Sequence, residues 1–172
     1  REYQYKGFSW LWFLYKYGLN GILADDMGLG KTLQALTLLQ KAKEKDKKAP
    51  SLVVCPTSVV FNWESEVQKF IPTLKCLKLS GVDRKEHFKE IPKHDIIITS
   101  YALIRRDIEK LKKYEFRYII LDESQNIKNP ESMTAKCIKT LNGQHKLALS
   151  GTPIENKLEE LWSVFDFLMP GF

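Results

Sequence analysis

The sequence predicts an α/β fold: a parallel sheet covered by helices on both faces. Two patterns carry this expectation. Short apolar runs of strand length, such as Leu52-Val53-Val54-Cys55 and Ile96-Ile97-Ile98, are continuous rather than alternating, which suits strands buried on both sides. Between them lie longer stretches with apolar residues at helical spacing, so strand and helix alternate along the chain. A third observation sets where the sheet begins. Residues 21–24 are a short apolar run, Gly28 and Gly30 make a turn, and Lys31-Thr32 open a helix carrying Leu33, Leu36, Leu38 and Leu39.

Each element follows in order. Residues 3–17 place Phe8, Leu11, Trp12 and Tyr15 at helical spacing, with Gly18 as the stop. Strand one is 21–24, and its helix runs from Lys31 into the lysine-rich stretch 41–48, where cations suit a helix carboxyl end. Pro50 turns the chain into strand two, 52–55; Pro56-Thr57-Ser58 then lead into a helix ending near Phe70, before Pro72. Residues 74–79 read as strand three, and Ser80-Gly81 turns into a short charged helix over 83–90. Strand four is 95–99, with a helix over 101–112. Strand five, 116–121, runs directly into Asp122-Glu123. A helix over 131–141, strand six at 145–149 and a last helix over 158–169 complete the chain. Trp10, Trp12, Trp63 and Trp162 are expected in the core.

Composition bounds the function classes. At 172 residues, 44% hydrophobic and 28% charged, the chain has room for one domain with a real core. It starts at Arg1 without a signal-peptide pattern and reads as a piece of a longer polypeptide. The longest aromatic-apolar run, 10–15, is too short to cross a bilayer, so no membrane role is expected. Cys55, Cys76 and Cys137 lack metal-type spacing and are odd in number, which favours reduced thiols in an intracellular protein. His87, His94 and His145 are scattered, against a zinc site. A formal net charge of +6 is compatible with a polyanion partner without establishing one.

The chemistry gathers where strands end. Strand, glycine turn, Gly-Lys-Thr and helix is the arrangement of a phosphate-binding loop. Glycines let backbone N–H groups turn inward around phosphate oxygens, and the helix N-terminus adds favourable partial charge. Lys31 can reach terminal phosphates and the Thr32 hydroxyl can ligate magnesium. The first glycine of the G-x-x-x-x-G-K-[ST] pattern is replaced by Asp25. Carboxylates at Asp25 and Asp26 beside phosphates are unfavourable, so their side chains are expected to point away. In a parallel α/β sheet the ligand sits beyond the strand carboxyl ends. Residues 28–32, Pro56 to Ser58, Thr99-Ser100, Asp122-Glu123 and 150–152 should therefore line one edge. Asp-Glu after an apolar strand alone suggests a strand cap. Downstream of a phosphate loop it suits phosphoryl transfer, with Asp122 holding magnesium and Glu123 orienting water.

These motifs resemble a known family. Asp122-Glu123-Ser124-Gln125 is similar to the D-E-x-[HQ] box of superfamily 2 helicase-like ATPases, and Asp25-Asp26-Met27-Gly28-Leu29-Gly30-Lys31-Thr32 resembles the D-E-M-G-L-G-K-T loop of the Swi/Snf-type DNA-dependent ATPases. Tyr3-Gln4 with Gly7, Trp10 and Leu11, Val54-Cys55-Pro56-Thr57-Ser58 with Asn62-Trp63, Ile98-Thr99-Ser100-Tyr101, and Leu149-Ser150-Gly151-Thr152-Pro153-Ile154-Glu155-Asn156 resemble further family motifs in the family's order. Asp26 stands where Glu is usual, and Ser124 where Ala or Gly is usual.

The resemblance implies a RecA-like, three-layer α/β/α lobe over residues 1–172 that binds ATP and Mg²⁺. It would be the first of two lobes in a motor that translocates on double-stranded DNA and remodels chromatin or other protein–DNA complexes. Gln4 would read adenine, and Asp26, Met27, Gly28, Leu29, Gly30, Lys31 and Thr32 would hold ATP. Thr57, Ser58, Thr99 and Ser100 would touch DNA phosphates, although Ser58 and Ser100 could equally be helix caps. Ser150, Gly151 and Thr152 would couple hydrolysis to DNA. The second lobe, carrying the arginine finger, would be a partner from the same polypeptide. The cell compartment would be the nucleoid or cytoplasm in a prokaryote and the nucleus in a eukaryote. A GTPase is the enzymatic rival, but the N-K-x-D guanine box is approached only by Asn156-Lys157-Leu158-Glu159. A DNA-binding scaffold without catalysis is the other rival, and intact Lys31, Thr32, Asp122 and Glu123 argue against it.

Overall fold

The computed structural model describes residues 1–26, 28–45, 49–151 and 158–171, the side chains of 158–160 excepted. Its strands are β1 (Gly21–Leu23), β2 (Ser51–Cys55), β3 (Cys76–Lys78), β4 (Ile96–Ser100), β5 (Glu115–Leu121) and β6 (Asn142–Leu149). They pair in the order β1-β6-β5-β2-β4-β3, and every pair is parallel. The helices are α1 (Glu2–Lys16), α2 (Lys31–Lys45), α3 (Val60–Phe70), α4 (Tyr101–Leu111), α5 (Met133–Lys139) and α6 (Leu158–Leu168).

Alternate strand residues face opposite sides, and the apolar content is high enough to build a core on each. On one side Val53, Cys55, Ile96, Ile98, Ile120 and Leu147 pack with Leu36, Leu39, Trp63 and Val67 from α2 and α3, and with Leu11 of α1. On the other, Leu52, Val54, Ile97, Ile119, Leu121 and Ala148 pack with Ile104, Ala135, Ile138 and Phe167 from α4, α5 and α6. The expected α/β/α sandwich is therefore present, with α1 to α3 on one face and α4 to α6 on the other.

The structure differs from the sequence expectation in three places. The charged segment after β3 is a 3-10 helix, Asp83–Lys93, not an α-helix. Pro92 lies inside it and cannot donate an α-helical hydrogen bond. α5 starts at Met133, not 131, because Ser132 caps it by accepting from Ala135 N–H at 3.2 Å. A short 3-10 turn, Ser124–Ile127, follows Asp122-Glu123.

The tryptophans divide. Trp63 is fully buried and Trp12 packs against the core, as expected. Trp10 is 40% and Trp162 55% exposed, so the core expectation fails for both. Helical spacing places a residue on a face but does not decide how far the neighbouring layer extends over it.

Buried polar groups tie the periphery to this frame. Arg84 of the 3-10 segment makes a two-point pair with Asp107 of α4, Nε to Oδ2 at 2.7 Å and Nη2 to Oδ1 at 3.0 Å. The Asp107 hydrogen bond, opposed by burial and aided by the aspartate's charge, raises the arginine's pKa above its ordinary value. The carboxyl end of α6 is held by Lys146 Nζ, which donates to Phe167 O at 2.9 Å, and by Asn20 Nδ2, which donates to Leu168 O at 2.7 Å. A cation there complements the helix dipole.

His145 on β6 is half-buried between Tyr15 and Tyr118, with ring centroids at 4.7 and 5.1 Å. Desolvation lowers its pKa below the ordinary 6.5. In the unfolded chain the ring takes up its proton first as pH falls. The stability tied to a neutral His145 is therefore complete above pH 6.5 and is lost as pH drops through the depressed folded value. We expect His145→Phe to lose less melting temperature than the unsubstituted protein between about pH 7 and about pH 5, read by thermal denaturation.

Candidate functional site

The site is built at the carboxyl ends of β1, β2, β5 and β6. After β1 the chain turns through Gly28 and Gly30, at φ +80° and +81°, values that L side chains rarely adopt. α2 then starts at Lys31. The lysine is 9% exposed, and its Nζ donates to the carbonyls of Asp25 at 2.6 Å and Asp26 at 3.0 Å, so the ammonium is folded into its own loop.

The Asp25 carboxylate is accounted for as well. Its Oδ2 accepts from Gln34 Nε2 at 3.1 Å, which ties the acid to α2. Gln34 is 2% exposed, and its Oε1 has no hydrogen-bond partner. That oxygen lies against Gly7 of α1, where an added Cβ would fall 1.9 Å away. Gln4, one turn earlier on α1, reaches the loop directly. A Cβ on Gly30 would lie 2.6 Å from Gln4 Nε2, and Gln4 lines a cavity of about 380 Å³ with Tyr5, Phe8, Leu33 and Thr37. The Gln4 side chain and the glycine turn thus form one continuous surface.

Asp122 and Glu123 follow β5. The Asp122 carboxylate is half-buried and carries two hydrogen bonds: Oδ2 accepts from Trp63 Nε1 at 2.8 Å and Oδ1 from Glu123 N–H at 3.0 Å. Burial raises its pKa above the ordinary value. The Trp63 hydrogen bond opposes this, the Glu123 charge adds to it, and Glu123 N–H and the Lys31 charge oppose it again. Lys31 at the start of α2 and Asp122 after β5 both stand at carboxyl ends of strands in the one sheet. Tyr101, at the start of α4, donates from Oη to the Asp122 carbonyl at 2.7 Å.

Glu123 is the non-glycine residue with positive φ among the described residues, at φ 49° and ψ 58°. Such a conformation costs on the order of 1–3 kcal/mol and calls for a compensating role. Its Oε2 accepts from Gln125 Nε2 at 2.7 Å, and Gln125 Oε1 accepts from Ser150 Oγ at 3.3 Å. A short polar chain therefore runs from Glu123 to the end of β6.

The remaining expected residues separate by exposure. Thr57 and Ser58 lie in a 3-10 turn, Thr57–Val59, and are exposed. Thr99 and Ser100 are buried, and Thr99 Oγ1 donates to Leu79 O at 3.4 Å. Both hydroxyls are buried within this lobe, whereas Thr57 and Ser58 are open to an external phosphate. Ser100 occupies the N-cap position of α4 but makes no capping hydrogen bond. Gly151 is partly exposed, while Met27 and Thr152 lie outside the described residues. Burial pushes the Cys55 thiol, also repelled by the Asp122 charge, up to about 12, so it is inert as a nucleophile.

Gln34 and Tyr101 were missed from sequence. A signal existed for Gln34, a polar residue on the helix stripe that otherwise buries Ala35, Leu38 and Ala42. Tyr101 falls within the motif-like stretch 98–101, but its partner, the Asp122 carbonyl, is set by the fold.

A parallel sheet with a glycine turn, a lysine at a helix start and two acids at a neighbouring strand end defines a phosphate-loop protein of RecA-like architecture. The SNF2-related domain family matches residues 3–172, and the chain belongs to it. It is 44% identical to the TATA-binding protein-associated factor MOT1 of Saccharomyces cerevisiae, covering all of this chain and 10% of that protein. It is 43% identical to the putative ATP-dependent helicase/translocase YwqA of Bacillus subtilis, again over the whole chain and 19% of the relative. The fold superposes on the Sulfolobus solfataricus SWI2/SNF2 ATPase core in complex with double-stranded DNA with a TM-score of 0.93 and 48% identity, covering 99% of this chain and 36% of that one. The chain thus spans a fifth or less of the relatives' length.

The close approach of Gly7 to Gln34 gives a sharp test. Alanine favours a helix over glycine by roughly 1 kcal/mol, but overpacking costs about 1–3 kcal/mol. Gly7→Ala should lower the melting temperature on balance, and a gain in stability would show that α1 can shift away from α2.

Proposed function

We propose that residues 1–172 form the ATP-binding lobe of a DNA-dependent ATPase that translocates on double-stranded DNA and remodels protein–DNA complexes. The observation that carries this reading is the placement of the glycine turn and Lys31 after β1 and of Asp122-Glu123 after β5, at carboxyl ends of strands in one parallel sheet. Lys31, Thr32 and the turn residues Asp26, Met27, Gly28, Leu29 and Gly30 hold the phosphates of ATP. Gln4 takes the adenine edge, because an amide can donate and accept together. Phosphate oxygens compete with the Asp25 and Asp26 carbonyls for Lys31 Nζ, so nucleotide binding and loop opening are one event.

Thr32 and Asp122 supply hard oxygen donors of the kind Mg²⁺ takes. Each Asp122 oxygen has accepted one hydrogen bond and keeps further acceptor capacity, so the carboxylate can take the ion as well. Bound there, magnesium would neutralise charge on the phosphate oxygens. Glu123 orients the attacking water: Gln125 holds one carboxylate oxygen and leaves the other available. Ser150, joined to Glu123 through Gln125, couples this edge to DNA together with Gly151 and Thr152. Exposed Thr57 and Ser58 contact DNA phosphates, which positions a duplex without reading its sequence. The net charge of +6 supports such a partner, as does the S. solfataricus relative's complex with duplex DNA. We assign the arginine finger to a second RecA-like lobe of the same polypeptide, and the protein to the cytoplasm or nucleoid of a prokaryote or the nucleus of a eukaryote.

Lys31→Ala tests the nucleotide assignment. Charge-assisted hydrogen bonds contribute about 1.5–3 kcal/mol, so ATP affinity should fall roughly 10- to 100-fold, while loss of the bonds to the Asp25 and Asp26 carbonyls lowers the melting temperature without unfolding the protein. Equal affinity by calorimetry would sink the assignment, and equal competition by guanine nucleotide would favour a different phosphate-loop enzyme.

A second measurement concerns turnover. An arginine finger contributes on the order of 10³–10⁵ in rate. The 172-residue chain alone should bind ATP yet release almost no phosphate, with or without duplex DNA. The full polypeptide should show DNA-stimulated hydrolysis that Glu123→Gln abolishes while nucleotide binding survives. Robust turnover by the short chain, lost in Glu123→Gln, would place the catalytic cation within these residues.

A further inference from the structure

Trp63 links the core to the strand-end acid. Its ring is fully buried with Val53, Cys55, Ile96 and Ile98, and its Nε1–H donates to Asp122 Oδ2 at 2.8 Å, across 59 positions of sequence. A buried tryptophan needs a partner for its N–H, and a backbone carbonyl would satisfy it. Here the partner is the carboxylate that faces the chemistry of the edge.

The other atoms of Asp122 are fixed too. Oδ1 accepts from Glu123 N–H at 3.0 Å, and the carbonyl accepts from Tyr101 Oη at 2.7 Å. The Asp122 N–H donates to Val54 O at 2.9 Å, which continues the β2–β5 ladder. Backbone bonds alone would leave the side chain free to rotate about χ1 and χ2. Two donors on different oxygens set the plane of the carboxylate, and one of them comes from a side chain that the core cannot release.

We propose that Trp63 is a positioning residue for the Asp122 carboxylate, holding it in the single orientation used to bind magnesium. The proposal rests on the assignment of Asp122 as a magnesium-holding residue made above. Partners that orient a metal ligand without touching the metal are typically worth 10–100-fold in metal affinity. A tryptophan serving only as filler would change stability and leave magnesium binding alone.

The test uses the full-length polypeptide that carries this lobe. Trp63→Phe keeps an aromatic ring in the core and removes the N–H donor. ADP affinity is measured with and without magnesium. We expect the gain in affinity that magnesium confers to fall about 10–100-fold in Trp63→Phe, while ADP affinity without magnesium is unchanged and excess magnesium restores binding. The same magnesium-dependent gain in both proteins overturns the role of Trp63 and leaves the ATP-lobe reading intact. No magnesium effect in the unsubstituted protein overturns that reading, and this proposal with it. If Trp63→Phe does not fold, the Trp63 indole N–H resonance of the unsubstituted protein is followed by NMR. A shift when magnesium is added to the ADP complex supports the coupling, and a resonance indifferent to magnesium overturns it.

Discussion

The parallel register of β5 between β2 and β6 is the constraint on which the rest of this edge depends. Val54 of β2 and Ala148 of β6 both stand opposite Leu121. The strands therefore end level, and the ladder runs on past them: Asp122 N–H donates to Val54 O, and Ser150 N–H donates to Leu23 O. Because every pair is parallel, all the following turns leave from the same side. A slip of one residue in β5 would exchange its two faces, moving Ile119 and Leu121 into the layer that holds Tyr118 and Ile120. Two apolar layers of different shape hold the register against that slip.

That rigid frame tolerates unfavourable local features at its edge. Glu123 has a left-handed backbone, Asp122 is ionisable and half-buried, and Gln34 keeps an unpartnered buried oxygen. Each costs free energy where it stands. Gln34 sits on the buried stripe of α2 and the two acids at the end of β5, and each is joined by hydrogen bonds to a neighbour near the loop or the acids. The clustering of strained and desolvated groups at one edge is what a preorganised phosphoryl-transfer site requires. Elsewhere the polar interior is conservative: Arg84 with Asp107, and Lys146 with the end of α6, pin peripheral elements to the sheet. Breaking the first pair by removing one partner would strand a buried charge, which is why such pairs persist once formed.

The relation between α1 and the glycine turn carries the same logic into binding. α1 is not part of the strand–helix alternation, yet Gln4 lies against Gly30 and Gly7 lies against Gln34. The helix packs so closely only because glycines remove the intervening side-chain atoms. This contact brings an amide to the loop from outside the sheet, and it explains why an aspartate is tolerated where a phosphate loop usually has glycine: Gln34 ties the Asp25 carboxylate to α2.

Much of this was legible in residue order. The apolar runs specified the strand ends to within one or two residues except at the start of β6, because continuous burial leaves a continuous pattern. Helix faces were readable for the same reason, and the glycine turn, Lys31-Thr32 and Asp122-Glu123 stood out because their chemistry is local. β3 proved shorter and β6 longer, since strand ends depend on the neighbour that pairs with them. Only the tertiary structure decided that Trp63 serves Asp122, that Gln34 serves Asp25, that Thr99 and Ser100 turn inward, and that Trp10 and Trp162 stay exposed. The physical reason is range. Backbone preference and periodicity act over a few residues, whereas these partners meet across layers, where position is set by packing of the whole sheet.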